Sequence, residues 1–167
     1  VERLVVVYPK TTNQLLLNAY TRLEGAAFQL KVLRPSLRII DRMDLHAVLE
    51  EQRFQVSGAV SDETAIRVGR LLGVDSVLVY RIDTPSFRDI FLARYYGTLL
   101  NYLISSKIIM VESGEVVFHN VVTTSIEVHE APWTSSGYSS RVQFLDRSAL
   151  DRGVDQTAAD LLQAFHF

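Results

Sequence analysis

The chain has no cysteine. Disulfides, thiolate metal sites and a cysteine nucleophile are therefore excluded, and the redox compartment stays open. Charge of one sign is also lacking. Seventeen Lys and Arg against 19 Asp and Glu give a formal charge of −2. No cluster of Lys and Arg marks a nucleic-acid footprint, so no nucleic-acid partner is expected. No apolar run approaches the roughly 20 residues that a membrane helix needs. A P-loop, a dinucleotide fingerprint and a nucleophile elbow are all missing. The four histidines, His46, His119, His129 and His166, show no metal-ligand spacing. No catalytic residue, cofactor or metal is expected, and the protein reads as not an enzyme. There is no signal peptide and no lipobox cysteine. A mature lipoprotein ectodomain has this appearance, and so does a cytosolic protein.

What is present is a core. Of 167 residues, 48 % are hydrophobic and 22 % charged, the balance of one folded domain across 1–167. No repeat, linker or low-complexity tract divides it. Leu4 to Tyr8 reads as a buried strand that Pro9 breaks. A helix is predicted from about Gln14 to Leu33, with a stripe from Leu16 through Leu30 and with Gly25 permitting close packing on a sheet. Pro35 stops it, and Leu37 to Ile40 is the second strand.

The organising stretch runs from Ile39 to Asp83. Asp41 reads as an N-cap, followed by Arg42 and a short helix. Gly58 marks a turn. Ser61 caps a second helix whose first turn carries Asp62 and Glu63, where negative charge is favoured. Gly73 sits where a left-handed residue ends that helix. Ser76 to Ile82 is β-branched and dense, as a strand covered on both faces is.

Beyond it, Phe87 to Tyr96 fits neither period and reads as a loop with a partly buried aromatic cluster. Strand resumes at Leu99. The turn at Glu112 to Glu115 predicts a β-hairpin over residues 99–128. In its second arm Val116, Phe118, Val122 and Ile126 are expected to share one face. Phe144 to Phe167 reads as a terminal helix that Gly153 kinks or divides. The fold class is α/β, a single domain with helices packed on a mixed sheet.

The order Asp41-Arg42, Glu51-Gln52, Ser57-Gly58, Asp62-Glu63-Thr64, Gly69 and Leu72-Gly73-Val74-Asp75 resembles the CsgG family. These are bacterial envelope lipoproteins named for the curli secretion channel, with LpoB-type activators of peptidoglycan synthases and FlgO-type flagellar proteins as relatives. Ala93-Arg94-Tyr95-Tyr96-Gly97 and Ser113-Gly114-Glu115-Val116 resemble further family segments. The resemblance implies a non-enzymatic, periplasmic, outer-membrane-associated protein held by an N-terminal lipid outside this chain. It implies self-association in an assembly or secretion complex. The alternative is an LpoB- or FlgO-like lipoprotein that binds and regulates a peptidoglycan synthase or flagellar component. The implied partner is thus a homo-oligomer or another envelope protein.

Carried over to this sequence, the resemblance makes Tyr8 and Asn13 candidate pore-loop residues. Phe87 to Ser106 and Thr124 to Gln143 become candidate membrane or inter-subunit hairpins. Both segments look short for that role, and the first carries Arg88, Asp89 and Arg94 without alternating. Tyr95, Tyr96, Trp133 and Tyr138 are the candidate interface residues, because exposed aromatics often mark contacts.

Overall fold

The computed structural model describes residues 1–40, 60–96, 100–126 and 147–166, the side chains of Phe87, Ile90 and Arg94 excepted. The elements predicted around Asp41, Arg42 and Gly58 lie outside the described residues, as do Trp133 and Tyr138.

Strand β1 (Arg3–Val7) is apolar and buried from Leu4 onward. Helix α1 (Gln14–Leu33) starts where Asn13 accepts hydrogen bonds from the Leu15 and Leu16 amides at 2.9 and 3.3 Å. Its buried stripe is Ala19, Tyr20, Leu23, Ala26, Ala27 and Leu30. Strand β2 (Arg38–Ile40) follows. Ser61 caps helix α2 (Asp62–Leu72) by accepting from the Thr64 amide at 3.2 Å. Gly73, at φ 62°, ends it in the left-handed conformation. Then come β3 (Ser76–Asp83), helix α3 (Phe87–Tyr96), the hairpin strands β4 (Leu100–Met110) and β5 (Val116–Ile126), and helix α4 (Arg147–Ala164).

The strands form one mixed sheet in the order β2-β1-β3-β4-β5. The first three are mutually parallel, and β4 and β5 run antiparallel. Helices α1 and α4 cover one face, over Leu4, Val6, Leu78, Tyr80, Tyr102, Ile104 and Ile108. Helix α2 covers the other, over Val5, Val7, Val77, Val79, Ile109 and Val111. Asp75 ties β1 to β3. Its carboxylate accepts from the Glu2 and Arg3 amides at 2.7 and 3.0 Å and from the Ser76 hydroxyl at 2.8 Å. Burial pushes this carboxyl up, but the three hydrogen bonds outweigh it and hold it below the usual aspartate range.

Four expectations are corrected. Phe87 to Tyr96 is a helix, not a loop. Val116 does not join the face of Phe118: Ile108 pairs with Phe118 but Ile109 with Val116, so a bulge at Val117 shifts the register. Gly153 does not divide α4, which is one helix over Arg147–Ala164. A Cβ there would lie 2.7 Å from Ile104 Cδ1, so this glycine lets the helix sit against the sheet. Gly25 makes no close approach, being exposed with nothing within 4 Å of a built Cβ.

Two glycines therefore predict opposite outcomes. A Cβ on Gly69 would lie 2.5 Å from Val111 Cγ2 and 2.8 Å from Val77 Cγ2. Gly69→Ala should cost about 1–3 kcal/mol by overpacking the α2–sheet contact. Gly25→Ala should stabilise by about 0.5–1 kcal/mol through helix propensity alone. Denaturant unfolding of the two variants checks both signs.

Candidate functional site

Helix α3 exists because of its first turn. The Ser86 hydroxyl accepts from the Asp89 amide at 3.2 Å, and the Asp89 carboxylate accepts from the Ser86 amide at 2.9 Å and its hydroxyl at 2.7 Å. This is a capping box with aspartate in the third helical position. The Ser86 hydrogen bonds, through side chain and backbone, hold the Asp89 carboxyl below its ordinary value, with Arg88 adding to the effect.

The helix is inverted in its polarity. Small Ala93 is buried in the core, while Phe91, Tyr95 and Tyr96 are 57, 76 and 73 % exposed. Phe91 and Tyr95, one helical turn apart, stack with centroids 5.9 Å apart. The Tyr95 and Tyr96 rings lie 5.8 Å apart at 58°. Three large aromatic rings thus form one continuous, largely exposed surface. Exposed aromatic surfaces of this kind often mark contact sites.

The other sequence candidates go elsewhere. Tyr8 is buried, its ring stacked on Tyr20 at 4.8 Å and 7°, and its hydroxyl donates to Glu24 at 3.0 Å. Asn13 is the α1 cap. In this fold both have structural work, and neither side chain is brought to the α3 surface. Of the first candidate hairpin, Phe87 to Tyr96 is helical. Of the second, Thr124 to Ile126 belongs to β5 and the rest lies outside the described residues. Ser61 and Gly73 perform the capping roles expected of them. Phe91 was missed as a surface residue because the helix itself was missed. The signal was present as Ser86-Phe87-Arg88-Asp89, which has capping-box spacing.

No group of three or more His, Asp or Glu able to hold a metal occurs among the described residues. Tyr20 and Tyr80 are pushed up, first by burial, and so keep their protons at neutral pH. The Tyr20 hydroxyl accepts from the Ile82 amide at 2.9 Å, which is a structural role. No helix among the described residues is long and apolar enough to cross a membrane.

The sequence matches no protein-family model and no curated protein. Solved structures are similar to it. The LpoB C-terminal domain from Escherichia coli superposes with a TM-score of 0.50 at 12 % identity, covering 74 % of this chain and 82 % of that one. The corresponding domain from Salmonella enterica gives 0.48 at 12 %, covering 73 % and 81 %. A minor lipoprotein from Acinetobacter baumannii gives 0.45 at 12 %, covering 98 % and 92 %. At these identities the likeness is one of fold. The likeness supports an LpoB-type fold and does not show membership of the CsgG family.

The capping box predicts an acid-sensitive helix start. Because the folded Asp89 carboxyl lies below its ordinary value, its contribution is complete above about pH 3.9 and is lost as pH falls through the folded value. Amide-exchange protection in the first turn of α3 should drop on that acidification. Ser86→Ala should produce the same loss at neutral pH, with β3 and β4 protection unchanged.

Proposed function

We propose that this chain is the partner-binding domain of a non-enzymatic bacterial envelope lipoprotein of the LpoB or FlgO kind. It binds and regulates a peptidoglycan synthase or a flagellar component. The observation that carries this reading is the exposed aromatic surface of Phe91, Tyr95 and Tyr96 on α3. The LpoB-type fold supports it, together with the resemblance of the Ile39 to Asp83 stretch. Aromatic side chains give large contact area at low conformational cost, so a few of them supply most of the energy of a protein interface. The mechanism is docking: α3 seats on the partner, and the sheet behind it keeps the helix in place.

The secretion-channel reading has less behind it. A channel hairpin needs two strands of alternating polarity. Phe87 to Tyr96 is instead a helix, and Tyr8 is packed in the core.

The test is binding of the purified chain to the periplasmic domain of a peptidoglycan synthase from the same bacterium, with synthase rate as the second readout. The parent should bind and raise the rate. Tyr95→Ala with Tyr96→Ala should weaken binding about tenfold or more. The unfolding midpoint should stay where it is, since both rings are outside the core. A synthase neither bound nor accelerated would exclude that partner and leave the flagellar component to be tested likewise. Equal binding by parent and double variant would refute the α3 surface.

A further inference from the structure

We draw no further inference here: the strongest candidate, the exposed face of helix α1 that carries Thr21, Gly25, Phe28 and Val32, is a surface patch with large apolar side chains only at Phe28 and Val32, and nothing among the described residues shows what covers it.

Discussion

The structure depends on burying β1 and β3 on both faces. Leu4 and Val6 with Leu78 and Tyr80 face one way, and Val5 and Val7 with Val77 and Val79 face the other. A parallel pair of this kind is stable only with helices on both sides, because each uncovered side would leave a row of β-branched side chains in water. Helices α1 and α4 supply one cover and α2 the other. The covers sit close because Gly69 and Gly153 lack the Cβ that would collide with Val111 or Ile104. Arg22 joins the first pair by reaching Asp151 and Asp155 on α4. Asp75 ties the start of β1 to the start of β3 from the edge of the core. Its carboxylate holds the Glu2 and Arg3 amides at the start of the sheet.

The surface features follow from where that coverage stops. Helix α2 has 11 residues and spans β1, β3 and part of β4. The far half of its face, on β4 and β5, is left with Leu103 and Val121 in solvent. Helix α3 contributes little to either cover. Its Phe91, Tyr95 and Tyr96 rings are exposed, Ala93 is buried, and the Ser86–Asp89 cap starts it.

Much of this was legible in the chain. The β1, α1, α2 and β3 elements were readable because each is bounded by residues with one strong local preference: Asn13, Ser61, Gly73 and Pro9. The β4–β5 hairpin was readable from its turn. Helix α3 was not, since Phe91, Tyr95 and Tyr96 are exposed and break any apolar stripe. Only its capping residues mark it. The Val117 bulge was hidden as well, because a one-residue insertion leaves the alternation of Val, Phe and Val looking regular. Gly25 and Gly153 show the same limit. Sequence alone does not say which glycine abuts the sheet, as that depends on how far each helix stands from it. For the candidate site, Tyr95 and Tyr96 were identified by residue type, whereas Phe91 required the fold.

The most direct test of the central claim is site-specific photo-crosslinking in living cells, with a photoreactive phenylalanine analogue at Tyr95 and, as control, at Val32. Val32 is 81 % exposed on α1 and lies outside the proposed surface. The account predicts one discrete adduct with a single envelope protein at Tyr95 and none at Val32. No adduct at Tyr95, or the same adducts at both positions, would contradict it.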